Sequence, residues 1–210
     1  FERFDTNAQE FQDFVKKQSE WLEQYALFMT LKTDNLYKNW SEWPSEYRNT
    51  QTVALEKYQK KNYNTITFWK FCQYKFFEQW EDLKNYANSK GVYIIGDISF
   101  YVGYDSVDVW AERQLFMMSA NDTPEYVAAA GPDKYSESGQ VWGNPMYEWN
   151  AMKEDNFSWW RKRMRVCREL FDIVRIDHFA GIVKAYAVPY GQDKSLSGKW
   201  FKGPGRRLVN

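Results

Sequence analysis

The sequence is poor in the residues from which many sites are built. It holds a single histidine, so no Cys/His cluster with zinc spacing can form and a metal site is not expected. It holds two cysteines, Cys72 and Cys167, each inside an apolar helical pattern. They read as buried free thiols and not as a disulfide or a metal site, which fits a cytoplasmic protein. No apolar run approaches the roughly eighteen residues of a membrane span. Charge of one sign is not in excess, with 28 Lys plus Arg against 28 Asp plus Glu. That argues against a nucleic-acid partner, which needs concentrated positive charge. There is no glycine-rich phosphate loop, no Gly-x-Ser-x-Gly elbow, no internal repeat and no low-complexity tract. The opening Phe1-Glu2-Arg3-Phe4-Asp5 is neither a signal peptide nor an initiator methionine, and Leu208-Val209-Asn210 shows no closing element. The expectation is an internal piece of a longer protein.

Aromatic residues are abundant. Phe, Tyr and Trp make up 20%, with 11 Trp and 15 Tyr, and hydrophobic residues make up 44%. That is enough for a sizeable core, and most of the rings belong in it. Sugar rings also stack on Trp and Tyr, because their C–H faces are apolar while their hydroxyls are not. Composition alone leaves both uses open.

Periodicity organises the chain. Phe11, Phe14, Trp21, Tyr25 and Phe28 recur at three- and four-residue steps and predict an amphipathic helix over 7–32. Residues 33–50 lack that period and read as a loop with a short turn. A short polar helix is expected over 52–61. A second long helix is expected over 65–89, carried by Phe68, Phe71, Cys72, Phe76, Trp80 and Leu83 and stopped by Gly91. Val92-Tyr93-Ile94-Ile95 then reads as a buried strand leading into Gly96-Asp97. Residues 99–156 show little sustained period. A helix near 157–171 follows, and Ile173-Val174-Arg175-Ile176 reads as a second buried strand ending at Asp177-His178. This order predicts an α/β chain with parallel strands joined by crossover helices. Residues 1–90 form the helical part, and 91–210 carry two strands and a long active-site loop.

Sites in such sheets form beyond the C-terminal ends of strands, where Asp97 and Asp177 both fall. Asp177 ends an apolar strand, so partial desolvation is expected, and it needs a positive neighbour to stay ionised. Arg175 lies two residues earlier, on the same strand face. By spacing alone such a pair reads first as a structural ion pair at a strand end, and it also suits a glycosidic nucleophile. His178 beside it suits a hydrogen bond to a sugar hydroxyl or an ordinary surface role. Asp97 is a second site acid or a turn residue. The stretch from Pro132 to Pro145, with Asp133, Tyr135, Gln140 and Trp142, has the composition of a mobile lid presenting rings to a ligand, or of a plain surface loop. Asp105 or Ser106 is placed to cap a helix.

Several of these segments resemble one family. Val174-Arg175-Ile176-Asp177-His178-Phe179, followed by Gly181, resembles the nucleophile strand of amylomaltases, the 4-α-glucanotransferases also called disproportionating enzymes. Gly96-Asp97-Ile98 with Tyr101-Val102, and then Tyr104-Asp105-Ser106-Val107-Asp108-Val109-Trp110, resembles an earlier strand and turn of that family. Ser138-Gly139-Gln140-Val141-Trp142-Gly143-Asn144-Pro145-Met146-Tyr147 is similar to its flexible loop over the sugar chain. Lys202-Gly203-Pro204-Gly205 resembles a later segment, and Trp21-Leu22 with Tyr25-Ala26-Leu27-Phe28, together with Phe77-Glu78-Gln79-Trp80, resembles its early helices. The family often has Pro where Ser99 stands and Arg where Ala180 stands, which bears on local loop geometry.

The resemblance implies part of a (β/α)8 TIM barrel of the α-amylase superfamily, with helical insertions, this chain holding the third and fourth strands. It implies Asp177 as nucleophile and Arg175 as its partner. It implies His178 and Asp97 in the subsite of the attacked sugar, Gln140 and Trp142 against the glucan chain, and Tyr135 and Asp133 shaping the loop. Maltooligosaccharide or α-1,4-glucan is the implied substrate, with no metal and no organic cofactor. The family's acid/base glutamate and transition-state aspartate follow the nucleophile strand, and no segment here matches them. The remainder of a barrel is therefore needed for a complete site. An α-glucan hydrolase and a noncatalytic glucan-binding fragment are the competing expectations.

Overall fold

In the computed structural model, which describes residues 1–209, the N-terminal aromatic period is expressed as two helices. α1 spans Gln9–Lys17 and α2 spans Ser19–Asp34. The single helix expected over 7–32 is broken at Gln18, which is only 4% exposed. Its side-chain Nε2 donates to Glu169 Oε2 at 2.7 Å, and its Oε1 accepts from Trp21 Nε1 at 2.8 Å. A buried amide needs such partners, and leaving the helical path supplies them. A 3-10 turn at Trp40–Glu42 and α3, Ser45–Arg48, occupy the segment read as a loop. α4, Thr52–Lys61, forms as expected, and α5 spans Tyr63–Ser89. Gly91, at φ +74°, ends it: the Gly91 N–H donates to Asn88 O at 2.9 Å and the Val92 N–H to Ala87 O at 3.0 Å. These bonds satisfy carbonyls that a helix end leaves open, in a conformation that suits glycine.

Two compact units result, one of residues 1–95 and 168–173, the other of residues 96–167 and 174–209. In the first, α1 and α2 pack on α5 through rings. Phe14 lies 5.5 Å from Tyr74 and 5.3 Å from Phe77, and Trp21 stacks on Phe77 at 6.0 Å. Leu22, Ala26 and Leu31 are fully buried there. Each fully buried leucine contributes about 1.5–3 kcal/mol.

β1 spans Ile95–Ile98, and α6, Val107–Ala111, follows with the Ser106 hydroxyl accepting from the Val109 N–H at 3.3 Å. β2 is Tyr126–Ala130, β3 is Gln140–Pro145, α7 is Trp149–Glu154 and α8 is Ser158–Leu170. β4 is Ile173–Ile176, β5 is Lys184–Pro189 and β6 is Lys199–Lys202. β1 pairs with β4. The Ile173 N–H donates to Ile94 O at 3.2 Å and the Asp177 N–H to Ile98 O at 3.0 Å. Residue numbers rise together on both strands, so the pair is parallel, as expected.

Three expectations need correction. The first strand begins at Ile95, not Val92, because the Ile94 N–H is taken by the Asp172 carboxylate at 2.8 Å and not by a ladder. Neither strand is buried throughout: Ile95 and Ile173 are exposed within this segment, whereas Gly96 and Ile98 are buried. A two-stranded sheet gives each strand one neighbour and leaves side chains of an uncovered face to solvent. The stretch 99–156 is also more structured than its weak period indicates. It holds α6, β2, β3 and α7, and it contributes to a four-stranded antiparallel sheet in the order β3-β2-β5-β6. Strands of four to six residues with small apolar side chains, such as Val127-Ala128-Ala129, give too short a signal to read. The chain is thus a mixed α/β protein. Among the described residues no helix is long and apolar enough to cross a membrane.

Candidate active site

The parallel pair of strands brings the two acids together. Asp97 lies inside β1, and Asp177 follows β4 directly. Arg175 projects from the same face of β4 as Asp177 and bridges both. Its Nη2 donates to Asp177 Oδ1 at 2.8 Å, and its Nη1 donates to Asp97 Oδ2. One guanidinium therefore fixes two carboxylates, with its planar fork divided between them. The desolvation expected for Asp177 is not observed. Its side chain is 56% exposed within residues 1–209.

The next residue turns sharply. His178 is left-handed, at φ 47°, and a 3-10 turn, Phe179–Ile182, follows. Non-glycine residues take this conformation uncommonly, and it swings the imidazole toward an aromatic wall. His178 lies 5.0 Å from Trp142 in a T-shaped contact, 5.8 Å from Tyr101 and 6.2 Å from Phe100. Gly181 is needed here, since a Cβ at that position would sit 2.6 Å from the Phe100 ring.

Trp142 reaches the wall through an irregular strand. Val127 pairs with Pro145 but Ala129 pairs with Val141, so β3 carries surplus residues between two ladder positions. Such a bulge redirects side chains. Here Trp142 and Asn144 both line a cleft of about 340 Å³, with Ser99, Phe100, Tyr101, Asp177 and His178. Asn144 is held by its Nδ2 donating to Val102 O at 2.9 Å. Trp142 Nε1 donates to Gln140 Oε1 at 3.1 Å.

The cleft thus combines rings, an exposed carboxylate and unspent hydrogen-bonding capacity. Tyr101 Oη and His178 Nε2 are buried and have no hydrogen-bond partner among the described residues. An unsatisfied buried polar group costs about 1–3 kcal/mol, which a ligand hydroxyl would recover. Burial pushes the Tyr101 phenol well above its ordinary range, so it remains a neutral donor.

Not every expected residue converges. Asp97, Arg175 and Asp177 form one cluster; Asp177, His178 and Trp142 share the cleft; Gln140 joins through Trp142. Tyr135 and Asp133 are not among its lining residues. The Asp133 carboxylate accepts the N–H groups of Tyr135 and Ser136 at 2.8 and 2.9 Å, and so shapes its loop. Tyr135 is 83% exposed. The loop expected over 132–145 is shorter than read, because Gln140–Pro145 belong to β3, where β2 supplies a hydrogen-bonding partner. Ser99, Phe100, Tyr101 and Asn144 were not anticipated as lining residues. The first three directly follow a strand end, a signal that was available; Asn144 depends on the bulge, which was not.

Comparison with known proteins now bears on this site. The sequence profile of the 4-alpha-glucanotransferase family matches residues 1–210. The chain belongs to that family. It is 40% identical over 201 residues to the 4-alpha-glucanotransferase of Clostridium butyricum, covering 95% of this chain and 41% of that one. It is 40% identical over 192 residues to the chloroplastic/amyloplastic 4-alpha-glucanotransferase of Solanum tuberosum, covering 91% and 33%. Among solved structures it is similar to the amylomaltase from Streptococcus agalactiae in complex with acarbose. That match has a TM-score of 0.92 and 34% identity, and covers 99% of this chain and 42% of that one. This 4-alpha-glucanotransferase-family chain spans about two-fifths of the length of most of these relatives.

Cys72 and Cys167 are free and half-buried, less buried than their helical pattern suggests, and burial pushes both thiols up.

Proposed function

We propose that this chain is the nucleophile-bearing part of a 4-α-glucanotransferase that moves α-1,4-glucan segments between maltooligosaccharides. The observation that carries the reading is the sharing of Arg175 between Asp97 and Asp177 at the mouth of an aromatic cleft. β1 and β4 are neighbouring strands of a (β/α)8 barrel in this reading, with the site at their C-terminal ends.

The mechanism is double displacement. Asp177 attacks the anomeric carbon of the bound glucan, the glycosidic bond breaks, and a covalent glycosyl ester forms with retention overall. Arg175 holds the attacking carboxylate in line. Asp97 accepts from the same guanidinium and serves as a hydrogen-bond acceptor for the sugar, not as the proton donor. The acid that protonates the leaving oxygen, and then takes the proton of the incoming hydroxyl, belongs to sequence outside this segment. It stands about 5 Å from Asp177 in a retaining site. His178 Nε2 and Tyr101 Oη, both without a partner among the described residues, bind hydroxyls of the attacked sugar. Trp142 supplies a ring face to the glucan, held by Gln140. Tyr135, on the loop shaped by Asp133, adds a ring when a glucan lies over it. Screening water from the ester by these rings favours transfer over hydrolysis. The two free thiols support a reducing, cytoplasmic setting.

The test is incubation of the longest natural polypeptide carrying this segment with maltotriose, beside its Asp177→Asn variant. Glucose together with a ladder of longer maltooligosaccharides, lost in the variant, is the expected result. Glucose and maltose alone would identify a hydrolase. Binding of maltotriose with no products would leave a noncatalytic glucan-binding protein.

A further inference from the structure

Behind the cleft lies a second polar cluster that none of the roles above uses. The cleft wall Ser99–Tyr101 directly follows β1, and two of its backbone carbonyls accept hydrogen bonds from side chains outside the cleft lining. Arg163 of α8 donates from Nη2 to Ser99 O at 2.9 Å. Tyr147 donates from its hydroxyl to Phe100 O at 2.5 Å. The Arg163 guanidinium also faces that hydroxyl, and its charge counters the rise that burial imposes on the Tyr147 phenol. It lies over the Trp159 ring at 4.7 Å and over the Trp160 ring at 4.9 Å. Trp159 in turn donates from Nε1 to Asp108 Oδ1 at 3.0 Å. Asp108 is largely desolvated, and Arg163 is the charge that offsets this.

Two consecutive carbonyls of the wall are therefore clamped from behind by one charged group and one hydroxyl. From the front, the Phe100 ring is pressed against Gly181, three residues past His178. The chain Asp108, Arg163, Tyr147, Phe100, Gly181 is contiguous and leads to the turn that carries Asp177 and His178. Packed aromatic groups of this kind have few alternative arrangements, so a shift at one end displaces the other.

We infer that Arg163, acting with Tyr147, is a positioning residue for the transfer reaction, setting the Ser99–Tyr101 wall against His178 and Asp177. The inference rests on the function proposed above. Neither side chain lines the cleft, so their loss acts on the transition state through geometry and not on sugar contacts. A misplacement of about 1 Å costs on the order of 10²-fold in rate. Such a loss falls on kcat and kcat/KM together, with KM little changed.

The experiment compares Arg163→Met, Arg163→Lys and Tyr147→Phe with the unmodified full-length protein and with Asp177→Asn, in steady-state transfer from maltotriose. Urea midpoints of each protein are measured alongside. Arg163→Met should lower kcat by about 10²-fold and Tyr147→Phe by about tenfold, with KM within about threefold. Arg163→Lys keeps one donor for Ser99 O and should fall between Arg163→Met and the unmodified protein. Unchanged kcat in folded Arg163→Met and Tyr147→Phe would overturn the inference, as would a kcat loss matching only the unfolded fraction. If Arg163→Met does not fold, Tyr147→Phe, which removes one oxygen and keeps the ring, decides alone. An unmodified protein that transfers nothing would remove the underlying function and this inference with it.

Discussion

Replacing Arg175 by lysine separates charge from geometry at the candidate site. The positive charge is retained. What is lost is the fork, whose Nη1 engages Asp97 while Nη2 engages Asp177 at 2.8 Å. A lysine ammonium is a point charge and cannot hold two carboxylates in a fixed plane. The three side chains are 52% to 59% exposed, so solvent screens the pairs. Each contributes at most about 1 kcal/mol to folding. In the proposed mechanism the effect on rate is larger, because there Asp177 attacks in line with the anomeric carbon. A displacement of about 1 Å costs about 10²-fold, or about 2.7 kcal/mol of activation free energy. Arg175→Lys should therefore lower the initial rate of glucose release from maltotriose by about 10²-fold while the folding free energy changes by under about 1 kcal/mol. Arg175→Ala, which also removes the charge, should lose more than about 10³-fold. The assay is glucose release by the full-length protein, paired with urea unfolding. A lysine variant keeping more than about a third of the activity would refute the positioning argument. A folding loss above about 2 kcal/mol with activity intact would make the triad a structural bridge.

Three further outcomes follow from other parts of the chain. Gly181→Ala places a Cβ 2.6 Å from the Phe100 ring and should cost about 1–3 kcal/mol by urea unfolding, with a parallel loss of transfer; wild-type stability would contradict the packing. Asp172 is held below its ordinary range chiefly by the Ile94 N–H and then by Asn88, so its stabilisation is present above the unfolded value of about 3.9 and is lost as pH falls through the depressed folded value. Asp172→Ala should then be destabilised at pH 7 relative to wild type and converge with it near pH 2; a gap of equal size at both pH values would count against that capping role. Cys72 and Cys167, pushed up by burial, should react with a disulfide reagent at pH 7.5 more slowly than free glutathione, and rapid labelling of the folded protein would contradict their burial.

Much of this molecule is legible in its sequence, and what is not has identifiable causes. Helices α4 and α5 follow from periodicity and from Gly91, because local spacing and a local stop determine them. β4 ends where its apolar run ends, and Arg175 meets Asp177 because residues two apart share a strand face. The meeting of Arg175 with Asp97 is different: it depends on strand pairing across 78 residues, which no local pattern encodes. The break at Gln18 depends on Glu169, 151 residues away. Trp142 was readable as a ring near the site, yet its placement comes from a bulge set by register with β2.

The central claim is that Asp177 forms a bond to the sugar. The most direct measurement uses the full-length protein with a fluorinated α-glucosyl substrate that forms its ester quickly and releases it slowly, followed by proteolysis and mass spectrometry. The account predicts one added glycosyl mass on the peptide carrying Asp177, absent from Asp177→Asn. A glycosyl group on Asp97 or on any other carboxylate would contradict it.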